Sequence, residues 1–190
     1  MKPLELALSK SKHLSKQSIG LFSTFWTKSK TLKPRETLID FDSHAPNLYF
    51  VVDGCVRLFI VDDLGDEINI GFGYRDSFIT SFQSFIEEKP SMLSIEAVLE
   101  TDLISISKKK LAQLTSENKE IANWYQSMLE TTLSGHIQRQ VELLTLKPAE
   151  RYEVFIKRSG HLINALPLKL IASYLMMTPE TLSRIRAKLS

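Results

Sequence analysis

The chain of 190 residues is 43% hydrophobic and 24% charged, with a formal net charge of +2. This length accommodates one domain of ordinary size and a small second one, and the composition is typical of a soluble globular protein, which excludes a disordered chain. Residues 1–30 hold no sustained apolar run between charges, so we expect no signal peptide, no membrane helix and a cytoplasmic location.

The first two thirds of the chain predict a small β domain preceded by short helices. Residues 4–29 show short helical patterns, which we expect to cap the β domain. From Thr37 the hydrophobic period changes to that of strands, and Asp53-Gly54 indicates a hairpin because glycine accepts the positive φ of a two-residue turn. The predicted strands cover residues 38–41, 48–52, 55–61, 67–72, 94–98 and 103–106. Many short strands at regular spacing predict a β-roll, or jelly roll.

A long helix is predicted after the strands, over residues 118–144. Its apolar side chains form one broad face, from Ile121 to Leu144, which is too apolar to remain in water. Two explanations stay open, because the face can pack on the roll or part of it can pair with its copy in a second chain; we favour the homodimer. The residues assigned to the dimer helix are Trp124, Tyr125, Met128, Leu129 and Leu133.

The last residues of the chain predict two short helices around a tight turn, which is typical of a DNA-reading helix-turn-helix. Thr178 can accept a bond from a free backbone N–H and Pro179 fits the first position of a helix, so the second helix should begin at Pro179. The apolar stripes expected to face each other are Leu168, Ile171, Ala172 and Leu175 against Leu182, Ile185 and Leu189. From residue 147 onward eight basic residues stand against three acidic ones, which suits phosphate contacts, with a merely solvated surface as the alternative.

The polar face of the second helix carries side chains that can bond base edges and phosphates. Arginine can donate two N–H groups to guanine and glutamate can accept from the amino group of cytosine, so Arg184 and Glu180 are candidates for base contacts. The two residues are four apart and therefore neighbours, and a plain surface ion pair is the alternative. The predicted DNA-binding residues are Glu180, Thr181, Ser183, Arg184, Lys188 and Lys169.

The predicted fold class is α+β, in three segments. Residues 1–117 form an effector-type β-roll with N-terminal helices, residues 118–146 form a long dimerisation and linker helix, and residues 147–190 form the helix-turn-helix. We expect the boundary of the last segment near Leu146 because Pro148 starts a further helix, which Gly160 is placed to end.

This order resembles the Crp/Fnr family of bacterial transcription regulators over most of the chain. Residues 48–58 resemble the family's strand, glycine turn and strand, and residues 76–78 resemble the start of its phosphate-binding cassette. Residues 171–175 and 180–184 match its helix-turn-helix closely. The resemblance implies a homodimer on a two-fold symmetric site in double-stranded DNA, with Glu180 and Arg184 on bases and Ser183 modulating which ones. It also implies RNA polymerase as a partner.

The first departure from the family's pattern lies in its cyclic-nucleotide pocket. The family uses a Gly-Glu pair for the ribose and an arginine followed by Ser or Thr for the phosphate, whereas this chain has Thr80 with Ser81 and Ser91 with Met92. A buried phosphate without a charge partner costs on the order of several kcal/mol. We therefore expect a degenerate pocket that does not bind cyclic AMP in the usual way. An unknown small-molecule effector stays open, as does an arginine, Arg57 or Arg75, that reaches the pocket from elsewhere.

The second departure lies in the turn of the helix-turn-helix, where Met176 stands in place of the common glycine. A non-glycine residue held left-handed costs roughly 1 to 2 kcal/mol, so we expect either that strain or a slightly reshaped turn. The sequence ends at Ser190, directly after the second helix, and we expect no C-terminal β-hairpin wing. Phosphate contacts would then come from the helices alone.

No pattern in the sequence is typical of an enzyme or a metal site. Of the four histidines only His44 lies in the predicted roll; with His136 it could in principle hold haem, although a surface or packed histidine is the commoner case. Cys55 is the only cysteine, which excludes an internal disulfide, and we expect a buried apolar thiol. We therefore expect no catalysis, no cofactor and no membrane partner. The alternative to a regulator is a β-roll that binds a small molecule or a protein, with the last helices only structural.

Overall fold

A computed structural model describes residues 2–189 of the chain and the side chains of residues 2–188. The chain forms two compact units. One contains the residues up to Ile60 together with Gly71–Glu130, and the other contains Val61–Ile70 together with the residues from Thr131 onward. The division into an effector domain, a dimerisation helix and a DNA-binding segment stays a prediction, because it assigns functions to the segments and these two units describe only their packing.

Eight strands, counted over residues 2–189, form two four-stranded sheets with the orders β1-β8-β3-β6 and β2-β7-β4-β5. The strands are β1 Thr27–Leu32, β2 Thr37–Ile39, β3 Asn47–Asp53, β4 Cys55–Val61, β5 Glu67–Tyr74, β6 Phe78–Ile79, β7 Ser94–Ala97 and β8 Thr101–Ser107. The pairs β1·β8, β3·β8, β3·β6, β2·β7 and β4·β7 are antiparallel. The predicted β-roll is confirmed.

Eight helices lie in the same range of residues. They are α1 Pro3–Ser9, α2 Lys16–Ser23, α3 Phe82–Glu87, α4 Lys108–Glu117, α5 Lys119–Thr145, α6 Pro148–Ser159, α7 Leu168–Tyr174 and α8 Pro179–Leu189. The side chain of Asn118 accepts the N–H groups of Glu120 at 2.9 Å and Ile121 at 3.2 Å, which separates α5 from α4. The long helix and the two helices of the helix-turn-helix are confirmed.

The structure corrects the secondary structure at several positions. Strands β1 and β6 and helices α3 and α4 were not predicted. Five of the six residues of β1 are exposed, so no apolar alternation marks this strand, and its backbone pairing with β8 holds it. Gly160 follows the last residue of α6, as expected. Its φ is −58°, so it does not form a left-handed cap, and the chain continues into a 3-10 turn over Gly160–Leu162.

The core of the roll has two clusters. One lies between the sheets and includes Val51, Val56 and Ile95. The other brings α1, α2, α4 and the start of α5 onto the sheet of β3 and β8, as predicted for the N-terminal helices. Its centre is aromatic. The centre of the Trp124 ring lies 5.0 Å from the centre of the Phe22 ring and 5.1 Å from that of the Phe78 ring, in edge-on geometry.

The predicted hairpin at Asp53-Gly54 is wrong, because β3 pairs with β8 and β6 whereas β4 belongs to the other sheet. Gly54 lies instead in the turn by which the chain passes from one sheet to the other. Gly54 has φ +92°, and a Cβ atom there would collide with the backbone carbonyl of Glu100. The next residue, Cys55, donates its N–H to the hydroxyl of Thr101 at 3.0 Å. Burial raises the pKa of the Cys55 thiol to about 12. The thiol is free and buried, as predicted.

Candidate nucleic-acid interface

The two helices of the helix-turn-helix pack through the apolar stripes predicted from the sequence. The residues buried in this contact are Ile171, Ala172, Leu175 and Leu182, with Leu168 and Ile185 half-buried. Ala172 is fully buried, and its small side chain lets the two backbones approach. Leu189 was also predicted to take part in this contact, but its side chain lies outside those that the structure describes.

The start of α8 is defined by Thr178. Its hydroxyl accepts the backbone N–H of Thr181 at 3.2 Å, and its carbonyl accepts that of Leu182 at 3.1 Å. Pro179 is the first residue of the helix, as predicted. The pKa of the Glu180 carboxyl is lowered, first by its own backbone N–H, then by the Thr178 hydroxyl, and then by the charge of Arg184. Glu180 is therefore a carboxylate that can accept at neutral pH.

The polar residues of α8 predicted to contact DNA lie on one exposed face. Glu180, Ser183, Arg184 and Lys188 are exposed and follow the spacing of one helix face; we call these four residues the reading face. Within the described chain, Arg184 makes no ion pair with Glu180 at 4.0 Å or less. Two further residues were predicted to contact DNA. Thr181 on α8 is half-buried, and Lys169 on α7 is exposed.

The turn between the helices keeps Met176 left-handed, with φ +53°. The N–H of Met177 donates to the carbonyl of Ala172 at 3.1 Å, and that of Met176 donates to Ser173 at 3.0 Å. These two bonds define a Schellman motif, in which Met176 occupies the position that glycine usually holds. Of the two outcomes expected from the sequence, the structure shows the strained residue and not a reshaped turn.

Two arginines that the sequence did not single out bond the carbonyls at this turn. Arg139 of α5 donates to the carbonyl of Tyr174 at 2.7 Å, and Arg151 of α6 donates to those of Leu175 at 2.7 Å and Met176 at 3.3 Å. No local pattern announces contacts between residues 35 and 24 positions apart. The sequence shows only that the segments forming α5 and α6 contain arginines.

The residues predicted for the degenerate effector pocket have their hydroxyls bonded within the protein. Thr80 donates to the carbonyl of Asn47 at 2.9 Å. The hydroxyl of Ser91 lies 2.8 Å from that of Ser81 and 2.6 Å from the carbonyl of Leu93. Thr80, Ser81 and Ser91 are buried, whereas Met92 is 67% exposed and lies on the surface. The structure buries three of the four residues in the roll, where their hydroxyls bond to another hydroxyl or to backbone carbonyls.

Neither arginine considered as a substitute is free for a phosphate. Arg57 donates to Glu96 at 3.0 Å and its guanidinium lies 4.1 Å from the centre of the Phe59 ring. Since Val56 faces the core between the sheets, strand alternation places Arg57 on the other face of β4. Arg75 donates to Asp53 at 2.9 Å on the surface. The structure therefore gives no support for a relocated phosphate arginine.

A cavity of about 660 Å³ opens on the roll beside α3 and the start of α4. Its lining includes His44, Phe85, Lys108 and Lys109, and so differs from the predicted effector residues. Residues 2–189 contain no group of three or more His, Cys, Asp or Glu side chains placed to hold a metal ion. None of the helices in that range combines the length and apolar character needed to cross a membrane.

The apolar face of α5 is used in two ways along its length. Trp124 is only 5% exposed and belongs to the aromatic core of the roll, with Tyr125 and Met128 packed against the same cluster. Trp124 is therefore unavailable to a second chain, which corrects its assignment to the dimer helix. Leu129 is half-buried. The exposed residues further along are Leu133 at 61%, Ile137 at 53%, Val141 at 52% and Leu144 at 78%, which we call the exposed stripe.

The chain is similar to a known domain family and to several solved structures. The family model of the cyclic nucleotide-binding domain matches residues 29–118. FixK2 of Bradyrhizobium japonicum is similar with a TM-score of 0.76 and 21% identity, over 86% of this chain and 84% of that chain. CLP of Xanthomonas campestris, a c-di-GMP-responsive global regulator, has a TM-score of 0.67 and 19% identity, over 92% of this chain and 91% of that chain.

A third similar structure is a Crp/Fnr-family protein of Eubacterium rectale, with a TM-score of 0.67 and 17% identity over 93% of this chain and 83% of that chain. No curated protein sequence matches the chain. The matches to solved structures show a common fold. The predicted α+β fold class and the resemblance to Crp/Fnr proteins in domain and fold are confirmed.

Proposed function

We propose that this chain, which carries a cyclic nucleotide-binding domain within the fold of Crp/Fnr regulators, is a sequence-specific transcription regulator. It binds a two-fold symmetric DNA site as a homodimer. The observation that carries the proposal is the reading face of α8, where Glu180, Ser183 and Arg184 are exposed on a helix whose start is capped by Thr178. The same residues match the recognition helix of the Crp/Fnr pattern.

The chemistry of the reading face suits the major groove. The Arg184 guanidinium can donate two N–H groups to O6 and N7 of one guanine, and the Glu180 carboxylate can accept from the amino group of a cytosine. The two side chains are four residues apart and therefore neighbours on one helix face, so both can reach base edges in the same groove. Lys188 and Lys169 are exposed and can contact phosphates, which carry affinity but no sequence information.

The proposed dimer is supported by the exposed stripe of α5. Its four large apolar side chains are more than half exposed, and their spacing of four, four and three residues keeps them on one helix face. Pairing this face with its copy would remove it from water and relate two reading faces by a two-fold axis. Recognition helices about 34 Å apart would then enter successive major grooves.

Cyclic AMP is not part of the proposed mechanism. The positions aligned with the family's ribose and phosphate ligands carry neutral, internally bonded hydroxyls and a surface methionine. CLP, whose structure is similar, is a c-di-GMP-responsive regulator, so a protein of this fold responds to a ligand other than cyclic AMP. Any effector of this chain would be held by other residues than the usual pair of acid and arginine.

The experiment that tests the proposal is selection of binding sites from random DNA by the purified chain. We expect an enriched sequence with two inverted half-sites about one helical turn apart, bound with an affinity that falls steeply as salt rises. A selection that enriches no sequence, together with binding that ignores salt, would refute DNA recognition. It would leave the roll as a module for a small molecule or a protein partner.

A further inference from the structure

The turn of the helix-turn-helix contains a residue that disfavours the conformation it adopts. Met176 has φ +53° at the glycine position of the Schellman motif. A left-handed backbone at a residue with a side chain shifts the local equilibrium by roughly 5- to 30-fold against that turn. Because Met176 is 54% exposed, burial of its side chain does not offset this cost. Another interaction must keep the turn in place.

The carbonyls of the turn supply that interaction. The last carbonyls of an α-helix have no partner within the helix. Those of Tyr174 and Leu175 at the end of α7, and that of Met176 in the turn, accept from arginine instead. The donors are Arg139 at 2.7 Å and Arg151 at 2.7 Å and 3.3 Å. Hydrogen bonds from a charged donor are roughly twice as strong as neutral ones, and cations are favoured at a helix C-terminus.

The guanidinium groups of both arginines are partly removed from water, and that of Arg139 is also stacked on an aromatic ring. The guanidinium of Arg139 lies 3.9 Å from the centre of the Tyr174 ring, and that ring packs against Phe155 with 5.7 Å between centres. The Nε atoms of Arg139 and Arg151 are buried without a hydrogen-bond partner in the described chain. Each arginine thus gives up hydration at Nε while its terminal nitrogen bonds the turn.

We propose that Arg139 and Arg151 are positioning residues that replace the turn glycine: by bonding three successive carbonyls they hold Met176 left-handed and set the direction in which α8 leaves α7. Arg139 lies two residues after Ile137 of the exposed stripe, so it also fastens the proposed dimer helix to the turn. The effect on DNA rests on the proposed function, whereas the effect on the turn does not.

The test combines removal of the arginines with restoration of the glycine. Arg139→Met and Arg151→Met keep an apolar stem and remove the donors. Arg151→Lys keeps a charged donor nitrogen but loses the fixed geometry of the guanidinium, and Met176→Gly removes the cost of positive φ. Each full-length variant is first checked for folding by circular dichroism. The φ of residue 176 is then followed by its NMR Cα and Cβ shifts, and affinity is measured on a selected DNA site.

We expect the arginine variants to move Met176 out of the positive-φ region and to weaken specific binding roughly tenfold or more, as for a lost bond to a charged group. Arg151→Lys should fall between wild type and Arg151→Met. Adding Met176→Gly to Arg151→Met should restore affinity to within about threefold, because glycine adopts the turn unaided. Arg75→Met, which removes an exposed ion pair with Asp53, is the matched control. It should change neither the φ of residue 176 nor the affinity for DNA.

The proposal is overturned if Met176 keeps a positive φ and full affinity without the arginines, or if glycine at position 176 fails to restore binding. A variant that does not fold is replaced by Arg151→Lys, for which an unchanged φ and affinity would also count against the proposal. If the wild-type chain binds no DNA, the proposed function fails. The NMR reading still decides whether the arginines hold the turn.

Discussion

Arg184 projects from α8 into solvent, where its two terminal nitrogens can reach one guanine. We expect Arg184→Ala to weaken binding to selected sites by about 1 to 3 kcal/mol and to relax the preference at one base position. Arg184→Lys keeps the charge but loses the two-donor geometry, so it should lose discrimination and retain most of the non-specific affinity. Anisotropy titrations with selected and scrambled duplexes measure both quantities.

Lys188→Ala is the comparison on the same helix and should weaken all duplexes alike, since a phosphate contact carries no sequence information. Lys109→Ala, at an exposed position of the roll, should leave both affinities unchanged. Equal losses on selected and scrambled DNA for Arg184→Ala would assign this residue to the backbone of DNA and not to a base.

Thr178 links the cap of α8 to the charge state of Glu180. The lowered pKa of Glu180 has its own N–H as the first cause and the Thr178 hydroxyl as the second, so we expect Thr178→Ala to raise it. A lowered pKa means that the carboxylate contributes to stability above its unfolded pKa and loses that contribution as the pH falls through the lower folded value. Loss of the cap should also cost about 1 kcal/mol of unfolding free energy.

The measurement is a carbon-13 NMR titration of the Glu180 carboxyl, combined with urea unfolding. Thr178→Ser keeps the hydroxyl and should preserve both the pKa and most of the stability. An unchanged Glu180 pKa in Thr178→Ala would mean that the hydroxyl does not act on this carboxylate.

Single residues also mark where prediction from sequence works. Thr178 and Pro179 act on the next few residues of the chain, and local rules therefore placed the start of α8 correctly. Arg139 and Arg151 act on carbonyls 35 and 24 positions away, and sequence reasoning missed them because their partners are brought near only by packing.

The first part of helix α5 packs in the core of the roll, and its later part exposes apolar side chains to water. The exposed stripe begins after the residues that pack on the roll. We expect Ile137→Asp to weaken self-association at least tenfold, because a carboxylate would have to leave water at the centre of the proposed dimer face. Sedimentation equilibrium over a range of concentrations measures the change.

Gln138→Asp is the matched control, since residue 138 is exposed on α5 and lies about 100° round the helix from Ile137. It introduces the same group and should leave association unchanged. A wild-type chain that stays monomeric at tens of micromolar would contradict the dimer, and equal effects of the two variants would place the interface elsewhere.

Elements with a strong apolar period were predicted and elements without one were not. The strands β3 and β4 lie in the core of the roll, and their apolar runs located them within one residue. Strand β1 has a polar, exposed sequence and gains its place from backbone pairing with β8. Helix α4 begins with three lysines and buries only Leu111 and Leu114, too few to form a recognisable stripe.

For the whole molecule, the chemistry of the roll predicts its response to cyclic nucleotides. We expect no heat of binding at micromolar concentrations of cyclic AMP or cyclic GMP in titration calorimetry, because the buried phosphate would meet neutral groups at Thr80, Ser81 and Ser91. Binding of either nucleotide in the micromolar range would overturn this expectation and would require an arginine to reach the pocket.

The sequence alone determined the order of a β-roll, a long helix and a helix-turn-helix, and it located the reading face, because apolar periodicity, glycine turns and helix caps act over a few residues. Only the tertiary structure decided how distant segments combine. The tip of the β4–β5 hairpin packs with the C-terminal helices, where Asn69 donates to the carbonyl of Leu170 at 3.1 Å. Likewise, Trp124 joins the roll core and two arginines bond the turn at Met176. Such contacts depend on the fold bringing together groups that no local rule relates.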